Sequence, residues 1–156
     1  MATIYTDIGT DQLAAETSLA DRVILGEKIS GAIKHARARI TLAGALTTGD
    51  IIKVVKLPEG SVVLPSLCHA ATPGVTAAVT LDIGTSADVD AFSDGIVLGT
   101  AAEITGFNAG AGGLAANAKL PAPFTAETWV QATVMAEAAT AEGEFLDFFI
   151  AYASRQ

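Results

Sequence analysis

The sequence predicts an all-β protein, a jelly roll or related β-sandwich of about eight antiparallel strands with an N-terminal arm or short helix. Three observations support this. Apolar and polar residues alternate over many short segments, Gly and Pro turn signals separate those segments, and no long amphipathic helix appears after residue 30. A chain of 156 residues fits one β-sandwich domain, predicted at residues 31–156 and preceded by an arm at residues 1–30.

The N-terminal segment, residues 1–30, lacks the clean alternation of the rest of the chain. Its spacing of apolar residues fits either a short helix or an extended arm. If it is an arm that clamps a neighbouring subunit, then Tyr5, Leu13 and Leu19 are candidate contact residues. The segment shows no basic region followed by an apolar one, so we expect no signal peptide.

The first strands are defined by alternation and by turns between them. Arg37 and Arg39 lie on one face of the first strand, and alanine and isoleucine residues lie on the other. Pro58 and Gly60 mark a turn, because Pro presets φ and Gly tolerates a positive φ. Strands are predicted at Lys34–Leu42, Ile51–Leu57 and Ser61–Leu67, with His69 in a turn.

The second half of the chain adds two strands and a terminal hairpin. Val75–Ile83 has the clearest alternation, Ile96–Leu98 is a short strand, and the Gly-, Ala- and Asn-rich stretch Thr105–Ala118 is predicted to be a flexible loop. Glu127–Ala136 and Glu144–Ala153 are predicted to pair around a turn at residues 140–143. Large apolar groups lie on both faces of this hairpin, which makes Trp129, Phe145 and Phe149 candidate interface residues.

The charge is acidic and uneven. The whole chain carries −8, with a net of +1 over residues 1–56 and −9 over residues 57–156. Phosphate backbones repel an acidic chain, so no nucleic-acid partner is expected. The long uncharged stretch at residues 60–81 alternates and contains two prolines, so no membrane partner is expected either. Arg37 and Arg39 form either an ordinary solvated strand face or part of an interface.

The residue types that carry catalysis are scarce. The chain has one Cys and two His, too few for a cupin-like metal site, and it shows no nucleophile elbow, P-loop or dinucleotide-binding glycine pattern. We therefore expect no enzyme activity and no cofactor. Cys68 follows an apolar run and is expected to be a small buried hydrophobe, consistent with assembly in a reducing cytoplasm.

One acidic loop is a weak candidate for Ca²⁺ binding. Asp82, Asp88, Asp90 and Asp94 offer hard oxygen ligands, but Phe92 occupies a ligand position of the loosely matched EF-hand spacing and the closing Glu is missing. The alternative is that these aspartates simply form turns by bonding nearby backbone groups.

The same stretch carries a resemblance. Leu-Asp-Ile-Gly-Thr at residues 81–85, followed by the Asp-rich loop and Phe-Ser-Asp-Gly at residues 92–95, resembles a pattern in structural proteins of tailed-bacteriophage heads. The turn in Leu57–Val63 is similar to the one that precedes it there. The resemblance implies a capsid decoration (cement) protein of jelly-roll type. Such a protein binds the major capsid protein on the capsid exterior at junctions between capsomers, often as a homo-oligomer (dimer or trimer).

A second function is open at this point. A jelly roll also serves as the receptor- or carbohydrate-binding module of a virion fibre or spike. Sugar sites place aromatic rings on an exposed surface, and this chain has one Trp and two Tyr. The exposure of Trp129 therefore bears on the choice.

Overall fold

The computed structural model describes residues 33–107 and 122–154. These residues form nine strands and one short 3-10 helix at Pro65–Leu67. The strands are β1 (Ile33–Thr41), β2 (Ile51–Leu57), β3 (Val62–Val63), β4 (His69–Thr72), β5 (Val79–Gly84), β6 (Ser93–Leu98), β7 (Glu103–Gly106), β8 (Thr128–Val134) and β9 (Phe145–Ala153). Within these residues, no helix is long and apolar enough to cross a membrane.

The strands form two antiparallel sheets. One has the order β1-β9-β4-β7, with β3 pairing against the end of β9, and the other has the order β2-β8-β5-β6. Early and late strands pair in turn, β1 with β9, β2 with β8, β4 with β7 and β5 with β6. The resulting ribbon wraps so that β9 also meets β4, and β8 meets β5. This is the jelly-roll arrangement, and the predicted all-β fold class is confirmed.

The core lies between the two sheets and follows the alternation of the sequence. Val130, Ala132 and Val134 of β8 are fully buried, as are Leu146 and Ile150 of β9. Each large apolar side chain buried in this way contributes about 1.5–3 kcal/mol. Successive side chains of a strand point to opposite faces. The alternate residues of β8 and of β9 therefore lie on the outer faces of the sheets.

Cys68 belongs to this core, as the sequence predicts, and is 2% exposed. Its thiol donates to the Leu64 carbonyl at 3.2 Å, and its sulfur accepts from the Ala151 amide at 3.2 Å. Burial raises the pKa of the thiol to about 11, which keeps it protonated and unreactive.

The predicted terminal hairpin is wrong. β8 pairs with β2 and β5, while β9 pairs with β1, β3 and β4 in the other sheet. The connection between them crosses from sheet to sheet, held by a backbone bridge between Leu46 and Ala138 and by the Leu42 amide donating to the Glu144 carbonyl at 2.7 Å. A turn signal between two strands predicts that the chain reverses, but not that the strands pair.

Three smaller expectations also need correction. The strand predicted at residues 61–67 ends at Val63, because Pro65 has no amide hydrogen for a ladder and begins the 3-10 helix instead. His69 starts β4 rather than lying in a turn. The loop predicted from Thr105 onward overlaps the end of β7, which extends to Gly106.

One turn prediction is confirmed, and the prediction of an N-terminal arm is not tested. The Pro58 to Gly60 turn has the predicted geometry: Gly60 has a φ of 79°, and the Ser61 amide donates to the Pro58 carbonyl at 3.2 Å. The arm at residues 1–30 lies outside the described residues, so the division of the chain into arm and sandwich stays a prediction.

Candidate functional site

The five-stranded sheet presents a continuous polar and aromatic surface on its outer side. Cross-strand pairing aligns Arg37 of β1, Phe149 of β9 and His69 of β4 in one row. The next row aligns Arg39 and Asp147, and it continues across β4 to Ile104 of β7. We call this surface the arginine–aromatic face; it consists of Arg37, Arg39, His69, Ala71, Ile104, Phe145, Asp147 and Phe149.

Asp147 is the centre of this face. Its carboxylate accepts hydrogen bonds from Arg39 Nε at 2.8 Å, Arg39 Nη2 at 2.7 Å and Arg37 Nη2 at 3.0 Å. The side chain of Asp147 is 9% exposed, whereas those of Arg37 and Arg39 are 59% and 48% exposed. The Arg39 hydrogen bonds, aided by Arg37 and opposed by burial, lower the pKa of Asp147 to about 2. The carboxylate is therefore ionised at neutral pH.

The two arginines also cover aromatic rings. The guanidinium carbon of Arg39 lies 3.8 Å from the centroid of the Phe145 ring, and that of Arg37 lies 5.3 Å from the Phe149 ring. His69 stacks on Phe149 with ring centroids 4.3 Å apart and an angle of 19° between the planes. Cation–π contacts and stacking of this kind hold the arginine side chains in place.

A groove lies beside the ion pairs. Ala71 stands between Asp147 and Ile104 in its row, and its small side chain leaves the surface low there. The groove has a volume of about 610 Å³ and is also lined by Pro73 and Phe145. Ile104 on the edge strand is 74% exposed, the largest exposure of any large apolar side chain among the described residues.

The outer side of the four-stranded sheet is different. Trp129, 41% exposed, lies opposite Lys56 of β2, and Lys56 forms an ion pair with Glu127. Lys53 donates a hydrogen bond to the amide oxygen of Gln131. Each of these lysines therefore has its own partner. We call this surface the lysine–tryptophan face; it consists of Ile51, Lys53, Lys56, Val97, Trp129, Gln131 and Met135.

The acidic loop also borders the four-stranded sheet. Asp82 is 4% exposed, and its Oδ1 accepts from the Gly95 amide at 2.8 Å. Over residues 33–107 and 122–154, no group of three or more His, Cys, Asp or Glu side chains is placed to hold a metal ion. The structure thus gives no support to the Ca²⁺ interpretation of Asp82, Asp88, Asp90 and Asp94.

The loop is built as a turn. The Thr85 amide donates to the Asp88 carbonyl at 2.7 Å, and the Thr85 hydroxyl accepts from the Ala87 amide at 3.2 Å. The chain passes so close above β5 that a Cβ on Gly84 would lie 2.1 Å from the Asp88 carbonyl oxygen. Only glycine fits at that point.

Comparison with known proteins relates the fold to two phage capsids. No protein-family model and no curated protein matches the sequence. The chain is similar to one in the capsid asymmetric unit of cyanophage Pam1, with a TM-score of 0.53, 21% identity, and coverage of 80% of this chain and 86% of that chain. It is also similar to one in the capsid of Ralstonia phage GP4, with a TM-score of 0.58, 21% identity, and coverage of 81% and 86%. This likeness establishes a shared fold.

The predicted interface residues separate into three groups. Four of them, Arg37, Arg39, Phe145 and Phe149, meet on the arginine–aromatic face. Trp129 lies on the other sheet. Three further candidates, Tyr5, Leu13 and Leu19, lie outside the described residues.

Sequence reasoning missed the residues that connect this group. Alternation along residues 144–153 puts Asp147 on the same strand face as Phe145 and Phe149, and an acidic residue between two aromatics of one strand is a signal for a cationic partner. His69 and Ile104 gave no such signal, because the one was assigned to a turn and the other to no strand.

Proposed function

We propose that the chain is a structural virion protein, a decoration or cement protein that binds the exterior of a phage capsid and stabilises contacts between capsomers. The observation that carries this proposal is the jelly roll that it shares with chains of two phage capsids. Because 86% of each of those chains is covered, the shared unit is nearly a whole chain. Each of the two capsids therefore contains a chain that is similar to this one over most of its length.

The chemistry of the chain fits a structural rather than an enzymatic role. A cement protein acts by adding buried area across a junction, and this requires surfaces instead of a catalytic centre. Its arginine–aromatic face offers an ordered surface of mixed polar and apolar character. The net charge of −8 favours solubility of a particle that carries many copies.

The proposed partners are the major capsid protein and further copies of this chain in a dimer or trimer. The segment at residues 1–30 is proposed to act as an arm that orders on a neighbouring subunit, where a large contact area offsets the loss of chain entropy. Assembly would take place in the cytoplasm of the host.

A pelleting assay tests the proposal. Capsids of the phage that encodes this chain are first stripped of it. The purified chain is then sedimented alone and in a mixture with these capsids. We expect the chain to pellet only with capsids, to saturate, and to raise the temperature at which the capsids disrupt. A chain that stays in the supernatant at saturating capsid would contradict the proposal. A chain lacking residues 1–20 keeps every described strand of the sandwich and tests the arm in the same assay, where we expect it to fold but not to pellet with capsids.

The alternative, a receptor- or carbohydrate-binding module of a fibre or spike, rests on one observation. Trp129 is 41% exposed and lies next to polar groups, as a sugar-stacking ring does. Binding to a glycan array that is lost in Trp129→Ala, together with no capsid association, would favour this alternative over the cement role.

A further inference from the structure

This inference rests on the proposed function and names the surface that performs it. We propose that the arginine–aromatic face docks on the capsid shell and takes an acidic segment of the shell protein. In this arrangement a carboxylate of the partner meets Arg37 and Arg39, and apolar side chains next to it occupy the groove beside Ile104.

The charges on this face identify the chemistry of the partner. Two guanidinium groups share the single carboxylate of Asp147, so positive charge is in excess over β1, on the side of the face away from Glu103, in a chain whose net charge is −8. Asp147 engages one nitrogen of Arg37 and two of Arg39. A guanidinium has five N–H donors in a fork that matches a carboxylate. A second carboxylate above the two arginines therefore accepts hydrogen bonds from the N–H donors that Asp147 leaves unused.

The site is ordered before any partner arrives. Asp147 fixes both guanidiniums from below, and the rings of Phe145 and Phe149 support them. Binding then loses little side-chain entropy, which is the main reason that a preorganised surface binds more tightly than a flexible one. Lys56 on the opposite sheet lacks this support: its contact is an ion pair with Glu127, whose side chain is 59% exposed.

The groove determines the orientation of the partner. Its apolar wall is formed by Phe145, Pro73 and the strongly exposed Ile104. Glu103 stands at the groove with its carboxylate accepting from the Gly99 amide. A partner carboxylate is repelled from that side, so the acidic group lies over β1 and the apolar groups lie over β4 and β7.

Two substitutions on this face and two matched controls test the inference. Arg37→Ala removes an exposed cation, and Ile104→Asp places a charge on the apolar edge strand of the groove. Lys56→Ala and Val97→Asp are the controls. Lys56 is 44% exposed, and Val97 is 48% exposed on β6, the edge strand of the other sheet. Ile104→Ser replaces Ile104→Asp, and Arg37→Gln replaces Arg37→Ala, if urea unfolding shows that either variant is unfolded.

Each variant is titrated with stripped capsids in the pelleting assay, and its molar mass in solution is measured. We expect each face variant to bind about tenfold more weakly or worse, and each control to stay within about twofold of the original chain. Raising NaCl from about 50 to about 500 mM should weaken the original chain, because screening acts on exposed charges. Arg37→Ala should show a smaller salt dependence.

The outcomes separate this inference from the proposed function. If the original chain binds capsids and both face variants bind equally well, the docking face is wrong and the cement role stands. If only the control variants lose binding, the four-stranded sheet is the docking surface and the inference is overturned. If the face variants bind normally but change their molar mass, the face joins copies of this chain. If the original chain does not bind capsids, both proposals fail.

Discussion

The outer faces of the two sheets each contain a nearly buried aspartate, and they differ most clearly in the direction in which the pKa of that aspartate is shifted. With backbone and side chain taken together, Asp147 on the five-stranded sheet is 6% exposed, and Asp82 on the four-stranded sheet is 4% exposed. The pKa of Asp147 is lowered to about 2 by its hydrogen bonds from Arg39 and Arg37. The pKa of Asp82 is raised, first by burial, although the Gly95 amide opposes that shift.

The difference shows that burial does not decide the charge state of a carboxyl. Burial raises the pKa of an acid in both places, and the neighbouring strand settles the outcome. For Asp147 that strand is β1, which supplies two arginines. Asp82 lies near Asp90 and Asp94, whose charges raise its pKa further. The charged form of Asp147 is therefore stabilised by an ion cluster on one face, whereas the charged form of Asp82 is destabilised on the other.

Asp147→Asn should lower the stability of the protein more than any other substitution considered for the two aspartates. The substitution keeps the shape but removes the negative charge that holds Arg37 and Arg39. We expect the free energy of unfolding in urea at pH 7 to fall by about 2 kcal/mol. Glu127→Gln, which weakens the exposed ion pair with Lys56, is the control and should change it by less than about 0.5 kcal/mol. Equal losses in the two variants would show that the cluster is no stronger than a surface pair.

Lowering the pH should remove the contribution of ionised Asp147 to the free energy of unfolding. Its folded pKa of about 2 lies below the ordinary unfolded value of about 3.9, so the folded state binds this proton more weakly. Its contribution to stability is complete above about pH 4 and is lost as the pH falls toward about 2. Unfolding curves of the original chain and Asp147→Asn should therefore converge over this range. A gap that stays constant down to pH 2 would assign the effect to packing instead of charge.

Asp82→Asn should change the stability of the protein only slightly. Its amide oxygen still accepts from the Gly95 amide, and the unfavourable charge is gone. The folded pKa of Asp82 is raised, so the charged side chain becomes destabilising as the pH rises above the unfolded value. We expect stability at pH 7 to be unchanged or higher by up to about 1 kcal/mol. A clear loss would mean that the ionised carboxylate has a partner that stabilises it.

Much of the sandwich follows from local pattern. Alternation placed the first strand within one residue of β1, and the β-branched run at Ile51–Leu57 coincides with β2. The sequence did not predict β7, because its four residues end in Gly106 and are followed by a Gly-rich stretch. A segment this short does not show a recognisable alternation. The false hairpin of β8 and β9 has another cause. A strand's sequence determines which side is buried, but its neighbours are chosen by the whole sandwich.

The candidate site shows the same limit. The sequence identified Arg37 and Arg39 on one strand and Phe145 and Phe149 on another as surface residues of interest. Their union depends on the pairing of β1 with β9, which joins residues more than a hundred positions apart. The position of Asp147 between two aromatic residues indicates a cationic partner, but no local signal says which strand supplies it. Arg37 and Arg39 could not be identified as that partner until the pairing of β1 with β9 was known.

The position of β9 also sets the order in which the protein can fold. β9 follows every other described strand in the chain, yet it lies inside the five-stranded sheet and joins β1, β3 and β4. During synthesis, the edges of β1, β3 and β4 that pair with β9 stay unpaired until β9 has been made. Native pairing between strands more than a hundred residues apart makes folding slow, and exposed edges in the meantime invite association with other chains. The yield of folded protein would then depend on how quickly β9 pairs with these strands.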